Sequence, residues 1–214
     1  MFSWELFYQA PIVGILRHFS PMVVSRILAL YSAAGLTTIE ITMNTKGAAG
    51  IIREAVDEFG EKLNIGAGTV CTEEDLEEAL RAGAGFIVTP VINETVIKIA
   101  VERSIPVFPG AFTPTEIYKA WSLGGSFVKV FPATFLGADY IKEVKAPLNH
   151  IRLIPTGGVS LENMTKFFDK GADAVGMGSQ LFPKQWIDNE NWDELSNHFK
   201  KFAETYQNYK NRVK

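Results

Sequence analysis

Short, nearly continuous apolar runs recur along the chain, separated by longer stretches with helical periodicity. The runs are IVGILR at 12–17, TIEIT at 38–42, NIGAG at 64–68, FIVT at 86–89, IPVFP at 105–109, FVKVF at 127–131, IRLIPT at 151–156 and AVGMG at 174–178. A strand with one wet face alternates apolar and polar residues. Runs without alternation suit parallel strands covered on both faces. Helix-start signals follow several runs. Ser20-Pro21 opens the first helix, and Thr72 precedes EEDL with Asp75 at the third helical position. Thr113-Pro114-Thr115-Glu116 combines a capping threonine, proline at the first helical position and glutamate at the third. Ser160 is expected to cap LENMTKFF, and Gly35, Gly60, Gly83, Gly124 and Gly171 mark helix ends. Eight such units in 214 residues predict one α/β domain over 1–214. The expected fold is a (β/α)8 TIM barrel with a short N-terminal helix before Pro11 and a C-terminal helix. An open doubly wound sheet is the alternative.

Polar residues that interrupt the apolar runs carry the candidate chemistry. Lys129 stands between Val128 and Val130. A free lysine titrates near ~10.4, and burial lowers that value. A neutral amine attacks a carbonyl to form a Schiff base, whose iminium draws electrons from the adjacent carbon–carbon bond. The plainer role is a lysine reaching from a strand end to water. Glu40 lies inside TIEIT. A buried carboxyl with a raised pKa serves as general acid and base; an ion pair with Lys129 is the plainer role. In a barrel the C-terminal strand ends hold the chemistry. There PTGGVS at 155–160 and GMGSQ at 176–180 follow the seventh and eighth runs. Loops at those positions recurrently bind phosphate through exposed backbone N–H groups, which makes Gly157, Gly158, Gly178 and Ser179 candidate ligands.

Composition removes other classes. With 24 acidic and 21 basic residues, the chain has no strong field for nucleic acid or an anionic membrane. No apolar run approaches the ~20 residues of a membrane span. MFSWELFYQAP lacks a basic region followed by an apolar segment, so no secretory signal is expected. One cysteine, Cys71, excludes an internal disulfide and a thiolate metal cluster and fits a reducing cytoplasm. Cys71 is expected to be structural. His18, His150 and His198 lack metal-ligand spacing, so no metal site is expected. His18 follows Arg17 and could touch a pocket rim, and the other two are placed at the surface. In the tail at 192–214, Trp192, Leu195, Phe199, Phe202 and Tyr206 recur at helical spacing and are expected to pack on the barrel.

ILR, IEIT, IGAGTV, FIVTP, PGAFTPTE, VKVFPA, PTGGVS and GMGSQLF, in this order over residues 12–182, make the chain similar to a known family. It resembles the bacterial 2-keto-3-deoxy-6-phosphogluconate and 4-hydroxy-2-oxoglutarate aldolases. The resemblance implies a homotrimeric class I aldolase with no metal and no cofactor beyond a covalent Schiff base on Lys129. Its implied substrate is a small 2-keto acid, 2-keto-3-deoxy-6-phosphogluconate, cleaved reversibly to pyruvate and glyceraldehyde 3-phosphate. By position it implies Lys129 for the Schiff base, Glu40 as general acid/base, Thr69 for the pyruvate carboxylate and Pro90 as a pocket wall. Phe131 and Pro132 would shape the strand end behind the lysine, and the four loop residues would take phosphate. Two positions depart from the gluconate pattern. Asn44 stands where an arginine usually follows the glutamate, and Thr89-Pro90-Val91 replaces Ser-Pro-Gly. Asparagine offers hydrogen bonds without charge, so Arg17 is the candidate cation for the substrate carboxylate. ILR, Asn44 and Thr-Pro look more like the phosphogalactonate branch, whose substrate differs at the C4 hydroxyl. That substrate and 4-hydroxy-2-oxoglutarate are the alternatives within the family. Outside it stand a phosphate-binding isomerase or synthase without a covalent step, and a non-catalytic sugar-phosphate-binding barrel.

Overall fold

The computed structural model describes residues 1–213. Its strands are β1 (Ile12–Leu16), β2 (Thr38–Thr42), β3 (Asn64–Gly68), β4 (Ile87–Val88), β5 (Val107–Phe108), β6 (Gly110–Ala111), β7 (Val128–Val130), β8 (Leu153–Pro155) and β9 (Val175–Met177). Every ladder is parallel, and helices connect most successive strands. This is a curled α/β sheet, not an open doubly wound one. The strands fall into two ladders, β5-β4-β3-β2-β1-β9 and β6-β7-β8. The eight expected strands are thus nine, because a further short strand, β6, follows the fifth run directly after Pro109. Proline has no N–H to give the ladder, although its carbonyl still accepts from Lys129 N at 2.9 Å. At the other junction a single parallel bridge joins Thr156 to Gly176.

The core has an inner and an outer part. Phe7, Val13, Phe86, Val88, Phe108, Phe127, Ile154 and Ala174 pack together inside the curl, with Phe2 against them. The larger cluster lies between strands and helices. The N-terminal helix, Trp4–Gln9, supplies Phe7 to the inner cluster. Asn64 ties that segment down: Ser3 N donates to its Oδ1 at 2.7 Å, and its Nδ2 donates to Ser3 O at 2.9 Å. The inner cluster fills the space below the C-terminal strand ends and leaves only those ends for polar chemistry.

Capping boxes form as expected at Thr72–Asp75 and Thr113–Glu116. Ser160 departs from expectation. The helix there runs only from Met164 to Asp169, and Ser160 N donates to Asn163 Oδ1 at 2.8 Å. An asparagine-closed turn therefore occupies the first turn expected of the helix. His198 is half-buried rather than at the surface. Its ring packs edge-on against Trp186 and Phe202, and Nε2 lies 2.8 Å from Gln180 O. The C-terminal helix, Trp192–Val213, buries Leu195, Phe199, Phe202 and Tyr206. Among the described residues no helix is long and apolar enough to cross a membrane.

Tyr31 is fully buried and fastens β1 to β2: its hydroxyl reaches Thr38 O at 2.9 Å and Ile12 O at 3.2 Å. Tyr31→Phe leaves both carbonyls without that donor. Unfolding should become easier by about 1 kcal/mol, lowering Tm by about 2–4 °C in a thermal melt.

Candidate active site

Lys129 on β7 and Glu40 on β2 are 5% and 1% exposed. Both line a recess of about 10 Å³, walled by Val13, Ile15, Val88, Phe108, Ile154, Thr156 and Gly176. That is room for about one water. Neither residue takes part in the ion pairs of the described residues. Glu40 Oε1 is the one buried side-chain polar atom among the described residues with no hydrogen-bond partner. Burial pushes the Glu40 pKa up, against the opposing pull of Lys129 and Arg17. Burial pushes the Lys129 pKa down; Glu40 opposes the shift, and the nearby Arg17 charge adds to it. Both shifts favour an uncharged pair, a free amine beside a protonated carboxyl. Such a pair can attack a carbonyl and hand over a proton in the same space.

Above the recess opens a cavity of about 340 Å³. It gathers six of the residues expected from sequence: Arg17, Phe131, Gly157, Gly158, Gly178 and Ser179. Gly157 and Gly158 have φ of 98° and 72°. Positive φ at both positions favours glycine, which lets the chain turn sharply at the cavity edge without a side chain in the way. Ile15, Thr156 and Gly176 line both spaces and form the wall between them. Thr156, Gln180 and Lys184 line the cavity without having been expected. Thr156 had a signal, a polar residue closing an apolar run. Lys184 lies beyond the glycine turn, and nothing in its local sequence sets it apart.

Three expected residues stand off the cavity lining. Asn44 is exposed on the turn after β2. Pro90 is half-buried, its carbonyl pressed against Gly110, where a Cβ would come within 2.3 Å. Thr69, directly after β3, is half-buried with φ 56°. A β-branched residue in the left-handed region is strained by about 1–3 kcal/mol, and such strain gathers at functional sites. His18, next to Arg17, has φ 60°. It borders a neighbouring groove of about 580 Å³ rather than the cavity. Cys71, expected to be structural, is exposed instead. Partial burial pushes its thiol pKa up and Asp75 adds to this, with Lys129 opposing, so the thiol is not activated. Among the described residues no three His, Cys, Asp or Glu side chains group as a metal site would require.

The family model described as "Aldolase: KDPG and KHG aldolase" matches residues 5–198. The chain belongs to this family. Members are class I aldolases, which are lyases, and so is this chain. It is 36% identical over 181 residues to the 2-dehydro-3-deoxy-6-phosphogalactonate aldolase of Escherichia coli K12, covering 84% of this chain and 87% of that one. It is 33% identical over 186 residues to the 2-dehydro-3-deoxy-phosphogluconate aldolase of Pseudomonas aeruginosa, covering 86% and 83%. A solved structure described as native KDPGal superposes with a TM-score of 0.86 at 33% identity, covering 93% of this chain and 95% of that one.

The Arg17 charge helps hold the Lys129 amine below its ordinary range. Arg17→Met should therefore move the titration of Lys129 to higher pH. Competitive acetylation across pH, followed by peptide mapping, reads that midpoint against the surface lysines.

Proposed function

We propose that this aldolase cleaves a 6-phosphorylated 2-keto-3-deoxy sugar acid to pyruvate and glyceraldehyde 3-phosphate through an imine on Lys129. The observation that carries the reading is the buried Lys129–Glu40 recess beneath a glycine-lined cavity. The free amine adds to the C2 carbonyl, and the proton released from its nitrogen passes to the carbonyl oxygen to give the carbinolamine. Glu40 protonates that hydroxyl, water leaves, and the iminium forms. The Glu40 carboxylate then takes the proton of the C4 hydroxyl and the C3–C4 bond breaks. Its electrons pass to the iminium, giving an enamine and the free aldehyde. Protonation at C3 by Glu40 and attack by water on the iminium release pyruvate and restore the amine.

In this reading Gly157, Gly158, Gly178 and Ser179 take the phosphate, and Arg17 meets the substrate carboxylate. Thr69, Pro90 and Phe131 bound the pyruvyl end, and Asn44 contributes from the rim. The gluconate series is the first reading of the substrate. Asn44 in place of an arginine, with the 36% identical relative named for the phosphogalactonate compound, favours the galactonate epimer as the second. We further propose that the two ladders work as one (β/α)8 barrel domain, and that the protein is a cytoplasmic homotrimer. Exposed Val91, Phe112 and Phe135, in the loops after β4, β6 and β7, are apolar surface that another copy would cover.

Incubation with pyruvate and borohydride should leave a reduced pyruvyl adduct on Lys129, found by intact mass and peptide mapping. Lys129→Ala should lose the adduct and turnover while keeping the fold. No adduct on folded wild-type protein would point to a non-covalent barrel enzyme. Glu40→Gln should lower kcat by about 10²–10⁴-fold. Pyruvate release from the two C4 epimers, assayed side by side, should exceed that from 4-hydroxy-2-oxoglutarate, which lacks the phosphate.

A further inference from the structure

Strand β3 carries two glycines, Gly66 and Gly68, and the space of each missing side chain is taken by a different neighbour. A Cβ at Gly66 would lie 2.4 Å from the Phe86 ring, and its three nearest atoms all belong to that ring. A Cβ at Gly68 would lie 2.2 Å from Glu40 Oε1, 2.5 Å from its Cδ and 3.1 Å from its Cγ. Neither glycine has a positive φ, so the backbone at both would accept any L-residue. Space alone excludes a side chain there.

The register accounts for the two occupants. Glu40 pairs with Gly66, and Thr42 pairs with Gly68. The Glu40 side chain therefore runs along the sheet toward the C-terminal strand ends and lays its carboxyl over Gly68. The seat beside its own pairing partner is filled by Phe86, part of the inner core. Hydrogen bonding does not hold Oε1, and no ion pair holds the carboxylate. Shape is left to fix where the group points.

We propose that Gly68 is a positioning residue for the aldol reaction, its absent side chain forming the seat that aims the Glu40 carboxyl into the Lys129 recess. The proposal rests on Glu40 being the acid/base group of the function proposed above. Gly66 is the internal control, a glycine of the same strand that seats only an aromatic ring. A Cβ at Gly68 would push the carboxyl out of line without removing it, so Gly68→Ala should behave like a loss of the acid/base group.

The test combines melting and kinetics of the intact protein. Gly68→Ala should lower kcat by about 10²–10⁴-fold and displace the limbs of the kcat–pH profile, while pyruvate is still trapped on Lys129 at long times. Gly66→Ala should lower Tm and leave the pH profile in place. Glu40→Ala removes every atom that the new Cβ meets, so adding Gly68→Ala to Glu40→Ala should change the residual kcat by less than about threefold, under 1 kcal/mol at ~1.4 kcal/mol per tenfold. If Gly68→Ala alone does not fold, adding Glu40→Ala should restore a cooperative melt. A Gly68→Ala enzyme with the wild-type kcat–pH profile overturns the proposal. So does an equal loss from Gly68→Ala in the Glu40 and Glu40→Ala backgrounds, or a double variant with Glu40→Ala that melts no higher than Gly68→Ala. Wild-type protein that traps no pyruvate would instead overturn the proposed function, and the melting comparison would still decide whether Gly68 seats Glu40.

Discussion

An amine and a carboxyl share an apolar recess with room for about one water. Burial works against the charged form of each, and Lys129 and Glu40 do not close the distance to an ion pair that would offset it. The arrangement persists because the sheet around it is over-determined. Phe86, Phe108 and Phe127 fill the interior below the pair, and Phe7 of the N-terminal helix joins them from its own end of the chain. Parallel strands send both side chains the same way along the curl, so the two groups meet near the strand ends, where a substrate can arrive.

In the proposed function, reaction and recognition occupy adjoining spaces. The recess holds the two titratable groups, and the cavity above it is lined by the glycine turns, Ser179 and two cationic side chains, Arg17 and Lys184. Thr156 and Gly176 form the partition, and Gly176 allows the approach: a Cβ there would lie 2.3 Å from Thr156 Oγ1. Glycine thus has two distinct uses in this site. At Gly157 and Gly158 it allows the left-handed turn, and at Gly66, Gly68 and Gly176 it leaves room for a neighbour.

Much of this was legible from the sequence. Unalternating apolar runs marked the strand order, and a lysine and a glutamate inside two such runs marked the buried pair. Those signals work because a strand buried on both faces rarely carries a charged residue that has neither a partner nor a chemical task. β6 was hidden because the fifth run ends at Pro109 and Gly110-Ala111 has no strand signal of its own; its pairing with β7 reveals it. Ser160 looked like a cap because its spacing to LENMTKFF is right, yet Asn163 closes the turn first. The standing of Asn44 and Lys184 relative to the cavity depends on how loops from different strands come together, which no local pattern encodes. Cys71, read as structural because no histidine is placed to activate it, lies past the strand end and is exposed. The role of Gly68 was hidden for the same reason, because the atom that needs its space comes from another strand.

Burial disfavours the charged form of each group, and the proposed chemistry starts from the uncharged pair, with the proton on the carboxyl. Neutron diffraction from deuterium-exchanged crystals near neutral pH measures it directly. Two deuterons are expected on Lys129 Nζ and one on the Glu40 carboxyl. Three deuterons on Nζ beside a bare carboxylate would contradict the uncharged pair.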